Sequence, residues 1–305
     1  VRKSIGFEKK RQLNSKQDSH KPGKNVVSQA CAFLLLVFAC IFFTETLFSN
    51  VIFLPKGQLF YPLIADPKQP HFFLGTRYYV TPSQNFLAGV AGFGKEFGLI
   101  RWTSSSENEG FQLSVDGSLS AQFNSQSPST HLINTDYSGG IPISWRRGDF
   151  SILLRPYYQS SHLGEELFLT TKIDRINLTY EAVQLLFSQE WRSFRFYGGG
   201  EVLVRCEPSD LGRWIIHGGS EWIRREIWFW KAKPFVALDL KSYQENAYFV
   251  DTSLKGGLDF SGNELRLVAR RHLRLLLEAY YGYSPHGQFY ADKNFFAGLG
   301  MAFTF

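Results

Sequence analysis

Three short stretches carry the side chains best able to do chemistry: His131–Asp136 (HLINTD), Gln159–Glu166 (QSSHLGEE) and Ser284–Tyr290 (SPHGQFY). A hydrolase needs a nucleophile whose proton passes to a histidine, itself oriented by a third polar group. Ser160 or Ser161 could be the nucleophile, His162 or His286 the base, and Asp136 or Glu165 the orienting acid. The carboxylates of Asp136, Glu165 and Glu166 could instead collect around calcium, which takes oxygen ligands. One constraint cuts against the hydrolase: neighbours on a strand point to opposite faces, so Ser161 and His162 cannot pair without a turn. The simpler alternative is that these residues satisfy loop backbone and bind water. No Walker-type, GxGxxG or HExxH pattern is present, and Gly92–Gly98 (GFGKEFG) has the wrong spacing. No metal and no cofactor is expected.

The elements that would position these stretches are written most clearly in Phe111–Asn124, FQLSVDGSLSAQFN. Phe111, Leu113, Val115, Gly117, Leu119, Ala121 and Phe123 alternate without a break with Gln112, Ser114, Asp116, Ser118, Ser120, Gln122 and Asn124. Period-two alternation gives a strand with one oily and one wet face. Ordinary strands run about five or six residues, whereas a tilted bilayer-crossing strand needs about 9–11. This stretch reads as a transmembrane strand, apolar toward lipid and polar toward an enclosed lumen.

Composition agrees. Aromatic residues make up 16% of the chain while mean hydropathy is only −0.17, as a polar interior diluting a lipid-facing surface would give. The net charge of +6 is local: residues 1–28 hold eight Lys or Arg against Glu8 and Asp18, so the remainder is neutral. A nucleic-acid partner is therefore not expected. After that basic stretch, Ala30–Phe43 (ACAFLLLVFACIFF) is apolar but short for a spanning helix, and fits the core of an export signal. Residues 1–49 are assigned to a cleaved signal with a basic front. Cys31 and Cys40 fall within it, which leaves Cys206 alone and no intrachain disulfide. Residues 50–70 carry Pro55, Pro62, Pro67 and Pro70, which break helices and remove ladder donors. They read as an extended periplasmic lead-in packed under or into the barrel, which itself occupies residues 71–305.

Strand-like runs are expected over 71–80, 87–102, 110–124, 135–146, 150–161, 175–189, 194–205, 213–225, 233–245, 249–260, 265–283 and 294–305. The predicted fold is an all-β antiparallel transmembrane barrel of about twelve strands with both termini periplasmic. Short connectors then fall mostly on the periplasmic side and longer ones outside. Trp102, Trp145, Trp191, Trp222, Trp228 and Trp230 gather near the inner ends, and only Trp214 near an outer one. Indole favours the lipid–water boundary, which suits this orientation. The final strand ends on Gly300, Phe303 and Phe305. It resembles the C-terminal sorting signal of bacterial outer-membrane barrels, read by the barrel-assembly machinery through an exposed edge.

Alternation also assigns the lumen. The expected inward set is Arg155, Tyr157 and Gln159, then Asn177, Thr179 and Glu181 with a phase slip near Ala182-Val183. Arg195, Tyr197, Glu201 and Arg205 follow, then Asp239 and Lys241, with Lys255, Asp259 and Glu278 in later strands. Interleaved signs predict ion pairs across neighbouring strands. Such a lumen is either a water-filled passage for small solutes or a space filled by side chains. Twelve strands lie between those two regimes.

Several stretches together resemble a bacterial family known as domain of unknown function family 1207. They are Pro62–Pro67 (PLIADP), His131–Tyr137 (HLINTDY), Tyr158–Glu165 (YQSSHLGE), Arg175–Ala182 (RINLTYEA), Tyr197–Glu201 (YGGGE), Phe235–Lys241 (FVALDLK) and Leu275–Tyr290 (LLLEAYYGYSPHGQFY). The resemblance implies an outer-membrane barrel and no particular activity. The leading functional expectation is a non-enzymatic outer-membrane protein, a small-solute channel or a structural barrel. Its surroundings would be outer-membrane lipid and lipopolysaccharide. The alternatives are a hydrolase acting on lipid A or phospholipid at the extracellular mouth, and a surface binding protein.

Overall fold

Alternating residues become twelve long antiparallel strands that close on themselves. The computed structural model describes residues 50–304, apart from 83, 104–105, 128, 172–175, 229 and 262–271. The expected signal at 1–49 and the terminal Phe305 lie outside the described residues. The strands are β1 (Phe72–Val80), β2 (Asn85–Thr103), β3 (Gly110–Asn124), β4 (Leu132–Gly140 and Ile143–Arg147), β5 (Phe150–Leu163) and β6 (Leu178–Trp191). They continue with β7 (Phe194–Glu207), β8 (Trp214–Ile223), β9 (Lys233–Tyr243), β10 (Val250–Asp259), β11 (His272–Tyr283) and β12 (Lys293–Thr304). Each pairs with its sequence neighbours, and β12 pairs with β1 from Phe303↔Phe72 to Phe295↔Val80, which seals the barrel.

Two strands differ from expectation. The run predicted over 135–146 is broken at Ile141-Pro142, because proline cannot donate to the ladder. Both pieces of β4 still lie between β3 and β5, and the Pro142 carbonyl accepts the Ser114 N–H at 2.9 Å. The run predicted over 265–283 is described only from His272.

The outward face is apolar. Leu277 and Leu299 are paired and are 67% and 61% exposed, and Phe93, Phe97, Ile216 and Leu254 are likewise exposed. With no water to bond backbone groups in a bilayer core, a closed ladder with this surface is what spans it. Trp191, Trp228 and Trp230 are exposed at the end of the barrel that carries Phe72 and Thr304, called the near end below. Trp214 opens β8 at the far end.

β2 is nineteen residues long but β1 covers only its Asn85–Gly92 part. A short strand, Asn50–Phe53, pairs with Ile100–Thr103 and takes up the other end. The chain then turns across β2 into the lumen and comes back out to begin β1. It passes so closely that a Cβ at Gly98 would lie 2.7 Å from Pro55 Cγ, and one at Gly94 3.0 Å from Pro70 Cα. Glycine is what admits backbone at that range.

If the outward face meets lipid, Leu277→Arg in mid-strand should destabilise the barrel by about 2–4 kcal/mol. Tyr281→Arg, one turn of the ladder closer to the far rim, should cost about 0–1 kcal/mol. Equilibrium urea refolding into phospholipid vesicles measures both.

Candidate functional site

The proline-rich segment fills the barrel. Leu59, Phe60, Tyr61, Leu63, Ile64, Ala65 and Asp66 are all buried within the ring of strands. Its prolines leave it with more carbonyl acceptors than N–H donors, and the wall answers with donors. Arg195 of β7 donates from Nη2 to the Tyr61 carbonyl at 2.8 Å and from Nη1 to the Pro62 carbonyl at 3.3 Å. Arg146 of β4 donates from Nε to the Leu59 carbonyl at 2.7 Å, with its guanidinium 4.2 Å from the Tyr61 ring centroid. Arg101 reaches the Lys56 and Gly57 carbonyls, and Ser253 Oγ donates to the Ala65 carbonyl at 2.7 Å. In the other direction the Ile64 N–H donates to Glu221 at 2.7 Å. Lys241 pairs with Asp66 at 3.1 Å and stands 3.7 Å from Glu201.

The wall is cross-braced around this segment. Arg155 grips Asp116 through two bonds of 2.5 and 2.9 Å, and Arg77 grips Glu278 at 2.6 and 3.1 Å. Such fork-to-carboxylate pairs fix orientation as well as charge. Asp239 takes the Tyr197 hydroxyl at 2.7 Å and His217 Nε2 at 2.6 Å, and Tyr157 donates to Glu201. Of the side chains expected inside, Arg155, Tyr157, Gln159, Arg195, Tyr197, Glu201, Asp239 and Lys241 are buried there.

Asn177, Thr179 and Glu181 are not inside. In β6 the even-numbered side chains, from Leu178 and Tyr180 to Ser188, are the buried ones throughout. Asn177 is exposed and donates to Glu207 at 2.7 Å. Glu181 pairs at 3.8 Å with an exposed Arg205, also expected inside. The irregularity near Ala182 is real but lies across the ladder: Glu181 faces Arg205 while Ala182 faces Leu203, so Val204 of β7 is the extra residue. The polarity rule inverts here because this part of the wall is close to the far rim. Outside, Asn177 and Glu181 are exposed, and inside Leu178, Tyr180 and Cys206 pack into an apolar cluster with Leu211.

The mouth residues divide between two faces. Asp136, Ser161 and His286 point inward, while Ser160 and His162 share the opposite face of β5. Inside, Ser161 Oγ donates to Asn134 Oδ1 at 3.1 Å, and Asn134 donates to Asp136 at 3.0 Å. The Gly287 N–H donates to Asp136 at 3.2 Å, and His286 Nδ1 is 3.9 Å from the same carboxylate. Gln122 donates to the Tyr79 hydroxyl at 2.5 Å, and that hydroxyl lies 3.4 Å from His286 Nε2. Ser161 thus bonds an amide oxygen rather than an imidazole, and the inward group is a brace for the Ser284–Asp292 loop. Outside, the His162 ring meets Tyr137 edge-on at 5.6 Å. Glu165 and Glu166 begin a helix (Glu165–Thr171) and are exposed, away from Asp136. No group of three metal-ligating side chains forms among the described residues. Sequence reasoning missed Arg77, Arg146, His217 and Glu221. A lone charge on an alternating strand, as at Arg77 in FFLGTRYYV, was the available signal. Gly300 and Phe303, expected in a sorting signal, lie in β12, where Phe303 stacks on Phe72 at 5.5 Å.

This is an antiparallel barrel of the outer-membrane type with its lumen occupied. The chain belongs to the family described as protein of unknown function (DUF1207), which matches residues 14–305. No curated protein matches the sequence. Among solved structures it is similar to the Salmonella typhi outer membrane phospholipase dimer with bound calcium, at 10% identity and TM-score 0.53, covering 78% of this chain and 93% of that one. Escherichia coli outer membrane phospholipase A gives 11% identity and TM-score 0.51, with coverage of 80% and 94%. At these identities the likeness concerns the fold.

Two imidazoles outside the strands, the half-buried His71 and the buried His286, give a pH dependence. Burial, with the nearby Lys255 ammonium, pushes His71 down to about 4, although its Nδ1 bonds the Gln69 carbonyl. Burial, with Arg77 and Lys68, holds His286 well below the ordinary range. Unfolded, both would titrate near about 6.5. Their contribution is therefore complete above that value and is lost as the pH falls through the folded value, about 4 for His71. The urea midpoint should drop between pH 7.5 and 4.5, and the His71→Gln, His286→Gln double variant should show a smaller drop.

Proposed function

We propose that the protein is a non-enzymatic outer-membrane barrel that stands closed, its own residues 54–70 acting as a resident plug, and not an open solute channel. The filled lumen carries this reading. The spaces left between plug and wall include cavities of about 40 Å3, room for a few waters. The plug is held by charged and backbone bonds at Leu59, Tyr61, Pro62, Ile64, Ala65 and Asp66, which a transient occupant would not need. In this reading export signal, apolar belt and C-terminal strand deliver the chain to the outer membrane. There the assembly machinery grips β12, which carries Gly300 and Phe303, and lipid and lipopolysaccharide surround the barrel. Refolded protein in a planar bilayer should be silent across voltage, and deletion of residues 58–68 should produce stepwise conductance. Steps from the intact chain would sink the closed-barrel reading.

One observation favours a second reading, a lipid hydrolase. Ser160 and His162 lie two residues apart on the outward face of β5, His162 exposed and Ser160 8% exposed, and the similar solved structures are outer membrane phospholipases. In this reading Ser160 is the nucleophile and His162 its base, and Asp136 takes no part. Phospholipid turnover in mixed micelles by the intact chain, lost at least about 100-fold in His162→Ala, is the expected signature. Equal rates for the two proteins would end it.

A further inference from the structure

One cavity of about 40 Å3 lies between the plug and the wall, lined by Lys68 and Gln69 of the plug and by Gln159, Lys255 and Ser138 of the strands, among others. Its donors outnumber its acceptors. Lys255 is 2% exposed, and its close neighbour is the Phe73 ring, 5.9 Å from Nζ to the centroid. Glu278 stands opposite it in the ladder but is committed to Arg77 through both carboxylate oxygens. Lys68 donates to the Tyr180 hydroxyl at 3.2 Å and has no carboxylate within ion-pair distance among the described residues. Tyr180 in turn donates to Gln159 Oε1 at 2.8 Å, which leaves Gln159 Nε2 buried with no partner. The one carboxylate on the cavity, Asp136, is already occupied by the Gly287 N–H, Asn134 and the approach of His286.

A buried ammonium that must share its nearest carboxylate with a guanidinium is poorly compensated, and a buried amide N–H without an acceptor is costly. Water could relieve the amide but not the charge. What satisfies all three groups at once is a species that only accepts hydrogen bonds and carries negative charge. We infer that this cavity is a binding site for a small inorganic anion, held between Lys68 of the plug and Lys255 and Gln159 of the wall. The cavity size restricts the ligand to an ion of the phosphate, sulfate or chloride kind, since a lipid headgroup with its glycerol does not fit in about 40 Å3. Because one donor sits on the plug and two on the wall, the bound ion also ties the plug to the barrel.

The test uses the full chain, delipidated in detergent, at constant ionic strength set with gluconate. Isothermal titration with inorganic phosphate, sulfate and chloride should show saturable binding of at least one of them, one ion per chain. Lys255→Met and Lys68→Met should each weaken that binding tenfold or more. In the intact chain the same ion should raise the thermal midpoint, because it binds the folded state alone. No saturable binding by any of the three ions overturns the inference, as does unchanged affinity in both variants. Should Lys255→Met fail to fold, Lys68→Met decides alone, with unchanged affinity overturning the site.

Discussion

The structure depends on bonds between guanidinium groups of the wall and carbonyl oxygens of the plug. An irregular backbone at membrane depth is tolerated only where protein satisfies its polar groups. The segment from Pro55 to Pro70 has lost four of its N–H donors to proline, so its surplus is in acceptors. Arg195 and Arg101 each reach two of its carbonyl oxygens and Arg146 one. Arginine suits this role because it stays charged and offers five N–H groups in a fixed plane. The aromatic rings of Phe60 and Tyr61, stacked near the same guanidinium groups, keep water away from them.

That arrangement makes the lumen a polar core. In a soluble protein the interior is apolar and the surface wet. Here the surface is Leu277, Leu299 and Phe93, and the interior is Arg195, Glu221, Lys241 and Asp66. Most of these buried charges meet an opposite one, as in Arg155–Asp116 and Arg77–Glu278, or bond the plug, as Arg195 and Lys241 do. Removing a single partner from such a pair leaves the other stranded, which costs far more than the pair itself contributes. The network therefore specifies one seating of the plug more than it adds to stability.

Much of this was legible in the residues. The twelve strands follow from period-two alternation, and Phe111–Asn124 alone fixes their length class. Interior positions such as Arg155, Tyr197 and Lys241 follow from the same parity. The parity rule failed at Asn177–Glu181, near the rim, where an outward polar residue costs nothing and the inner face packs Tyr180 against loops. Pairing was beyond reach for another reason. Arg155 meets Asp116 across a neighbouring strand pair thirty-nine positions back, and Arg195 meets Tyr61 at a separation of 134. Those partners are set by shear and by where the plug enters, and neither is written in local sequence. The same holds for the mouth: Ser160, Ser161, His162 and Asp136 are close in sequence or in register, yet the pleat divides them between the inner and outer faces of the wall.

The short strand Asn50–Phe53 has a consequence of its own. β2 outruns β1, so without a companion its lower stretch would present bare amides and carbonyls along an open seam. A free edge of that kind recruits strands from other molecules and seeds sheet-by-sheet aggregation. By laying four of its own residues there before diving inward, the chain guards itself against polymerisation with the same ribbon that stoppers its bore.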